Sequence, residues 1–545
     1  MTSRSRSKSI LLRGGIVLTH TPDDRVIPLY DTDVLVVGNI ISRIDKDIQV
    51  PPSSEADTET VDCRGKIVSP GFVDTHHHLW QTQLKGRHAD EGLVAYMVSG
   101  NMTSYAYTPS DVYWGQLAGC LEAINCGTTL VLDHSHVVYT PEHANAAISA
   151  TTDSGIRSIF AYSVPMRMTL WNQTECVPTD DLLPDWAMSQ LGDLIEQHNG
   201  KRNENATVEI GLGFDLWFLP KDMVLGLLND LGSKGLRIVT THVGRNALQG
   251  FQSMIQLFSS YDLLRPPFPP SEMYTETGDA KQPFLLLSHC NGVEEKDLSL
   301  VASTGTPISS TPDTEAQMGM GWPVGLHGIL RDRNQNRAQT QQQPTNTSLG
   351  VDCHSNNPSS IVLQARSLLQ LARLENNNRI TPRDGGQLNF PRANVLGSSE
   401  EAYNLMTIRG ARCLGLESVV GSISPGKKAD MVVFDAANSV GMLAAAEHDP
   451  VTAIVRFSEA ADIDAVIVNG VFRKRHGKIV DIEVSGTLGD ERHKTTTMPW
   501  SAIAGEVRKS RKDIQSRIDG FSVERGRDVL MNMFHVDESK LVDAT

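Results

Sequence analysis

The chain has 545 residues, of which 40% are hydrophobic and 21% are charged, a composition typical of globular proteins. Its formal net charge of -15 argues against nucleic acid or an anionic membrane surface as a partner. Seven scattered Cys without a Cys-x-x-Cys motif predict reduced thiols and a cytoplasmic location. No stretch approaches the ~18 apolar residues that a membrane span requires.

Short β-like runs between turn residues occupy residues 1–70 and predict the first part of a small β-domain. From residue 71 to about 415, strand-like apolar runs alternate with helical segments, and this alternation predicts a (β/α)8 barrel. The eight predicted barrel strands are 71–76, 128–133, 157–164, 208–214, 236–242, 283–289, 306–310 and 348–352.

The rest of the chain completes the predicted domain organisation. Residues 416–485 return to β-like runs, so we expect a small β-sandwich domain built from both chain ends. Residues 486–545 form an extension that we predict to be helical. The Gln/Asn-rich stretch 333–347 predicts a solvated insertion between barrel strands seven and eight.

Three consecutive histidines end the first predicted barrel strand, in the run PGFVDTHHH at residues 70–78. Residues i and i+2 of a strand point to the same face, so His76 and His78 can bind one metal ion together. A surface cluster of histidines is the alternative for this pair when it is considered alone.

Three more metal-competent side chains end other predicted strands, namely His242, His289 and Asp352. A single histidine on an apolar strand is usually a hydrogen-bonded core residue. Catalytic residues of (β/α)8 barrels, however, lie at the carboxyl ends of the strands, where all of these side chains fall. Together with the His-x-His pair, they predict one metal centre.

Several motifs in a fixed order resemble the amidohydrolase superfamily. They are PGFVDTHHH at 70–78, GTT at 127–129, LSHC at 287–290, LGVD at 349–352, TIRGARCLG at 407–415 and GSISPGKKADMVVFD at 421–435. Within that superfamily, the chain is most similar to the branch of cytosine, 8-oxoguanine, guanine and S-adenosylhomocysteine deaminases and triazine hydrolases. The likeness covers residues 10–480.

The resemblance implies that His76, His78, His242 and Asp352 hold one divalent metal ion, Zn²⁺ or alternatively Fe²⁺, which activates a water molecule. It implies that Asp352 also accepts a proton from this water and that His289 orients or stabilises the reacting groups. The strand-four run 208–217 lacks the lysine that two-metal relatives use, although recruitment of a second ion by Asp215 is an alternative.

Arg245 marks a departure from the family pattern. Deaminases of this branch usually carry a glutamate three residues after the strand-five histidine, where it moves a proton to the leaving group. Arginine stays protonated and is a poor proton shuttle. Either a histidine (His88, His134 or His136) replaces it, or the reaction is not standard deamination. Arg245 could instead bind a substrate carboxylate or form a structural salt bridge.

Residues that follow the strands are expected to line the mouth of the barrel. The predicted substrate-binding residues are Gln81, Arg87, Trp217, Arg245 and His289. Other residues in such positions are Trp80, Gln83, Phe218, Asp313, Glu315 and Gln317. His354, two residues after Asp352, is predicted to support that carboxylate from behind.

These observations predict a metal-dependent hydrolase that cleaves a C–N bond of a small nitrogen heterocycle or cyclic amidine by deamination. Hydrolytic opening of a cyclic amide, or displacement of another leaving group, is the alternative, and a non-catalytic barrel is a minor one. The expected partner is a small-molecule substrate, without nucleic acid or membrane. The resemblance further implies a homo-oligomer.

Overall fold

The computed structural model describes residues 9–199, 206–250, 252–275, 280–325, 346–380, 389–485 and 495–543. Two large sheets organise these residues, one with eight strands and one with nine. Most of the Gln/Asn-rich stretch 333–347 lies outside the described residues, so its prediction as an insertion is not addressed. Among the helices that are described, none is long and apolar enough to cross a membrane.

The eight-stranded sheet is a parallel barrel. Its strands, called barrel strands one to eight, are Phe72–His77, Thr128–Ser135, Arg157–Tyr162, Val208–Gly213, Ile238–Gly244, Phe284–Asn291, Ile308–Ser310 and Thr347–Leu349. A parallel bridge between His77 and Asp352 joins strand eight to strand one. The Asp352 amide also donates to the His76 carbonyl at 2.8 Å. The predicted (β/α)8 barrel is therefore confirmed.

Helices surround the barrel and cover the outer face of its strands, while side chains inside the barrel bury the inner face. The main ones are Pro109–Asn125, Pro141–Ser154, Asp185–His198, Lys221–Lys234, Met254–Ser260, Glu295–Thr304, Pro312–Gln317, Ile361–Ile380, Ser399–Leu405 and Ile408–Cys413. Every residue of Thr128–Ser135 and of Phe284–Asn291 is buried, which explains why their apolar stretches 130–132 and 284–287 show no polar alternation.

The second sheet is built from both chain ends, as predicted, and is connected as a single nine-stranded sheet. Its strands are Ser9–His20, Val26–Val37, Ile40–Asp45, Thr58–Asp62, Ile67–Pro70, Met431–Phe434, Ile463–Val468, Val471–Arg475 and Lys478–Ile479. Ile67–Pro70 pairs antiparallel with Met431–Phe434 and so joins the two ends of the chain.

A buried ion pair fastens this sheet to the barrel. Arg157, at the start of barrel strand three, donates to Asp430 through Nε at 2.9 Å and Nη2 at 3.0 Å. The Asn469 amide donates to the same carboxylate at 2.8 Å. Because the Asp430 side chain is only 1% exposed, its charge depends on these donors.

Shorter elements complete the described chain. Two helices, Trp500–Ile518 and Val523–Met533, form most of the described C-terminal extension and are called the C-terminal helices. Short helices span Pro52–Glu55, Leu93–Tyr96, Leu443–His448 and Pro450–Thr452, and 3-10 or π turns span Leu79–Leu84, Met97–Asn101, Met102–Ala106, Pro270–Glu272, Ala453–Phe457, Ala460–Asp462 and Glu538–Lys540. Two small hairpins pair Met168–Trp171 with Cys176–Pro178 and Ile482–Val484 with Thr496–Met498.

Candidate active site

Five predicted site residues meet at the carboxyl end of the barrel. One donor atom from each of His76, His242, His289 and Asp352 lies within 4.8 Å of the others. His78 joins them, because its Nε2 is 3.0 Å from Asp352 Oδ1, and His76 Nε2 is 3.2 Å from the same oxygen. The His289 Nε2 atom is 3.8 Å from Asp352 Oδ2. The structure therefore brings together residues that are up to 276 positions apart in the sequence.

Hydrogen bonds on the Nδ1 side orient all four imidazoles. His78 Nδ1 lies 2.7 Å from the His134 carbonyl, and His242 Nδ1 lies 2.8 Å from Asp215 Oδ2. Both partners are acceptors, so Nδ1 of each ring donates to them, and a neutral ring then presents the lone pair of its Nε2. His76 Nδ1 is 3.0 Å from Ser288 Oγ, and His289 Nδ1 is 3.0 Å from Thr311 Oγ1. These contacts leave each Nε2 directed toward Asp352.

Unusual backbone conformations orient two of these side chains. Asp352 has φ of 67°, His289 has φ of 73° and Cys290 has φ of 61°, in the left-handed region that non-glycine residues rarely adopt. In a regular strand, Ser288 and His289 would point to opposite faces. The turn of the backbone at His289 lets both contact the cluster, and such strain commonly accompanies functional sites.

The donor set fits one divalent metal ion. Imidazole nitrogens and carboxylate oxygens are among the ligands that bind zinc in proteins. The Nε2 atom of His76 is buried and has no hydrogen-bond partner among the described residues, as expected for an atom that awaits a ligand. Burial also holds the pKa of His76 well below its ordinary value, so the ring is neutral and able to bind metal.

The Asp352 carboxyl is held in its ionised form. Burial by itself would raise its pKa, but the neighbouring imidazoles of His289, His76 and His78 hold the pKa well below its usual range. The negative charge needed to balance a bound cation is thus present in the centre of the cluster.

A second group of donors adjoins the first and consists of His134, Asp215 and His242. The Asp215 carboxylate accepts from the His242 amide at 2.8 Å and from Thr241 Oγ1 at 2.9 Å, besides its contact with the His242 ring. Asp215 therefore positions His242, a role that the sequence analysis missed. His134 is fully buried, and neither ring nitrogen has a hydrogen-bond partner in the described part of the chain.

Three of the predicted substrate-binding residues make specific contacts within the protein. Gln81 Nε2 donates to the Tyr96 hydroxyl at 2.6 Å, and Trp217 Nε1 donates to Thr241 Oγ1 at 2.8 Å. Arg87 donates through Nη2 to Gln515 in the first C-terminal helix. Gln81 and Trp217 are buried, whereas Arg87 is half-buried.

Arg245 pairs with Glu294, with Nη1 at 2.5 Å from Oε1. Its side chain is 36% exposed and that of Glu294 is 39% exposed, so this is a surface salt bridge. The structure therefore contains the salt bridge that the sequence left open as one role for Arg245. Binding of a substrate carboxylate by Arg245 stays a prediction.

The remaining candidates lie around the cluster. Buried Glu315 accepts from the Thr311 amide at 2.9 Å and so supports the partner of His289. His354 Nδ1 is 3.0 Å from His77 Nε2, so its contact is with His77. The other named residues are either engaged in local contacts, as are Trp80, Gln83, His88, Asp313 and Gln317, or exposed, as is Phe218.

Known proteins resemble this chain over most of its length. The sequence model described as "Amidohydrolase family" matches residues 67–212 and 331–473. A protein of Acetivibrio thermocellus named "5-methylthioadenosine/S-adenosylhomocysteine deaminase" is 23% identical over 479 residues, which cover 87% of this chain and 96% of that protein.

Two solved structures show the same fold. An adenosine deaminase from Xanthomonas campestris with bound zinc has a TM-score of 0.67 at 17% identity, over 93% of this chain and 98% of that chain. A triazine hydrolase from Arthrobacter aurescens has a TM-score of 0.66 at 19% identity, over 92% of this chain and 99% of that chain.

Proposed function

The chain belongs to the amidohydrolase family, and from this premise we propose that it releases ammonia from a small nitrogen heterocycle by metal-dependent hydrolysis. The observation that carries the proposal is the convergence of His76, His78, His242, His289 and Asp352 at the carboxyl end of the barrel. In barrels of this type, that end is where catalysis takes place.

We assign the binding of one Zn²⁺ ion to His76, His78, His242 and Asp352, with Fe²⁺ as the alternative. A divalent ion bound there would supply Lewis-acid activation of water at neutral pH. The protein contributes the geometry, since Ser288, His134 and Asp215 hold the three rings with Nε2 facing inward.

Asp352 and His289 act on the reacting groups in this proposal. Asp352 Oδ2 faces His289 Nε2 across 3.8 Å, and we assign to Asp352 the acceptance of the proton of the attacking water. Thr311 holds His289 Nδ1, so Nε2 is the atom that can donate to the charge that develops on the heterocycle.

The leaving group also needs a proton, which Arg245 cannot supply. His134 and His136 lie beside the cluster, with ring centroids 4.5 Å from His242 and 4.1 Å from His78, respectively. We assign the shuttle to His134, since a neutral imidazole carries one N–H and one lone pair and neither nitrogen has a partner among the described residues.

Aminated purine nucleosides are the first substrates to examine. The Acetivibrio relative is named for deamination of 5-methylthioadenosine and S-adenosylhomocysteine, and a solved structure of the same fold is an adenosine deaminase. We therefore propose a 6-aminopurine or a similar amidine-containing ring as the substrate class.

Displacement of a leaving group other than ammonia is the second candidate reaction. Arg245 stands where deaminases of this branch carry a proton-shuttling glutamate, and a triazine hydrolase shares the fold. Substituted triazines therefore belong in the same substrate panel, with release of the substituent measured beside release of ammonia.

The test is ammonia release by purified, zinc-loaded protein from adenosine, 5-methylthioadenosine, S-adenosylhomocysteine, guanine, cytosine and aminated triazines. Asp352→Asn is the inactive variant, and Asp262→Asn is the matched control, because exposed Asp262 also has a positive φ, of 56°. We expect activity in the wild type and in Asp262→Asn, and its loss in Asp352→Asn.

Metal analysis of the protein as purified, before zinc is added, separates zinc from iron. Ammonia release that persists in Asp352→Asn would contradict the assigned roles. A zinc-loaded wild type that releases no ammonia, but does release another leaving group, would replace deamination with the second reaction.

A further inference from the structure

The segment that follows barrel strand one is held by the C-terminal helices. This strand-one segment, residues 79–106, contains short 3-10, α and π turns at 79–84 and 93–106, joined by a connection without regular helix at 85–92. Gln83 Nε2 donates to Ser510 Oγ at 3.0 Å, and Arg511 Nη1 donates to the carbonyls of Gln83 and Lys85. Arg87 donates to Gln515 one turn further along the same helix.

A buried carboxylate anchors the contact. Asp111 accepts from Ser510 Oγ at 2.5 Å and from Arg517 Nη2 at 2.6 Å, and its side chain is 7% exposed. The same carboxylate accepts from the Thr108 amide at 2.9 Å, where it caps the helix Pro109–Asn125. Ser510 and Arg517 thus bind the first turn of the helix that follows the strand-one segment.

Aromatic packing fixes the second C-terminal helix beside this anchor. Phe521 stacks on Trp171 with ring centroids 4.8 Å apart, and Trp171 Nε1 donates to the Ser522 carbonyl at 2.9 Å. Gly526 approaches so closely that a Cβ there would lie 2.7 Å from Trp171 and 2.8 Å from Val98. The helix therefore packs directly on the strand-one segment, and a cavity of about 360 Å³ lies in their junction.

The other face of the strand-one segment reaches the candidate active site. The segment begins directly after His78, and its Gln81 binds the Tyr96 hydroxyl at 2.6 Å. Gln81 Oε1 also accepts from the amide of Ser355, three residues after Asp352, at 3.3 Å. Any displacement of the segment is thus transmitted to the surroundings of Asp352.

We propose that the C-terminal helices position the strand-one segment for substrate binding, with Ser510 and Arg517 as the positioning residues. This inference rests on the proposed function, because the strand-one segment carries predicted substrate-binding residues. The contacts that the first C-terminal helix makes with Gln83, Lys85 and Arg87 oppose local opening of this segment. These helices lie outside the residues that match the family model.

The experiment compares Arg517→Ala, Arg517→Lys and Arg508→Ala in the full-length zinc-loaded protein. Arg508 lies on the same helix but is exposed, so Arg508→Ala is the matched control. For Arg517→Ala we expect amide exchange in residues 79–106 to become about tenfold faster, as for loss of a charge-assisted hydrogen bond. We expect KM to rise by about tenfold, kcat to stay within about threefold and zinc content to be unchanged.

In Arg517→Lys, KM should lie between the values of the wild type and Arg517→Ala, because the ammonium can still donate to Asp111. If Arg517→Ala does not fold, Ser510→Ala removes a single neutral donor and takes its place with the same expected direction. Unchanged amide exchange, or faster exchange with wild-type KM and kcat, would overturn the proposal.

Exchange needs no turnover, so the two proposals can fail separately. Ammonia release with unchanged exchange in Arg517→Ala would refute only the positioning role. The wild type could instead lack hydrolytic activity while Arg517→Ala shows faster amide exchange only in residues 79–106. That result would refute the proposed function but retain the role of the helices in holding the segment.

Discussion

Replacing Gly350 with Ala tests how closely strand eight must approach the candidate metal ligands. Gly350 lies between barrel strand eight and Asp352, and a Cβ at this position would lie 2.6 Å from the His76 carbonyl oxygen and 2.9 Å from the His76 amide nitrogen. Real Cβ contacts essentially never fall below 3.0 Å, so the two backbones must separate by several tenths of an ångström. Neither backbone can yield as a flexible side chain would.

Such a displacement exceeds what a metal site tolerates. Metal–ligand distances in well-formed sites vary by about 0.2 Å, so a larger shift of Asp352 relative to His76 weakens coordination. We expect zinc affinity to fall by about 10–100-fold, as when supporting contacts of ligands are lost. Overpacking should also lower the free energy of unfolding by about 1–3 kcal/mol.

The assay is zinc retained per chain after equilibration with a graded chelator, together with urea unfolding. Gly226→Ala is the matched control, because Gly226 lies within the helix Lys221–Lys234 and a Cβ there meets nothing within 4 Å. This control should retain zinc and gain about 0.5–1 kcal/mol of stability. Wild-type zinc affinity in Gly350→Ala would refute the reasoning, whatever its stability.

Three further variants test other contacts. Arg157→Ala leaves the buried Asp430 carboxylate without its guanidinium and should destabilise the fold by about 3–5 kcal/mol; an unchanged urea midpoint would contradict this. Burial lowers the pKa of His20 to about 4, so between pH 6.5 and pH 4 the unfolded chain binds a proton that the folded chain does not. Stability therefore falls as the pH falls, by about 3 kcal/mol more in the wild type than in His20→Gln, and parallel pH profiles of urea unfolding would refute this. Arg245→Gln removes an exposed salt bridge worth about 0–1 kcal/mol and should leave kcat/KM for uncharged heterocycles within about threefold. A tenfold loss confined to carboxylate-bearing substrates would instead assign Arg245 to substrate binding.

The barrel and its reactive end could be predicted from the sequence because their signals are local. A strand buried on both faces is a continuous apolar run, so the predicted strand 208–214 agrees with Val208–Gly213 and the predicted 157–164 with Arg157–Tyr162. The spacing of His76 and His78 follows from the two-residue period of a strand. His242, His289 and Asp352 were found because a polar residue interrupts or follows such a run.

Only the tertiary structure determined the direction in which these side chains point. Positive φ at His289 and Asp352 leaves no signal in residue type, since glycine is absent from both positions. The pairing of Asp215 with His242 and of Arg245 with Glu294 joins side chains at the carboxyl ends of neighbouring barrel strands. These pairs form only once neighbouring strands lie side by side in the barrel.

The contact of the C-terminal helices with the strand-one segment is the clearest case of a feature that the sequence alone did not predict. The sequence by itself determined that residues 500–535 favour helix, because propensity and apolar spacing act over a few turns. It did not determine that Ser510 and Arg517 would meet Asp111, about 400 positions earlier in the chain. That contact depends on how the barrel, its first helix and the chain end pack together, which only the folded structure specifies.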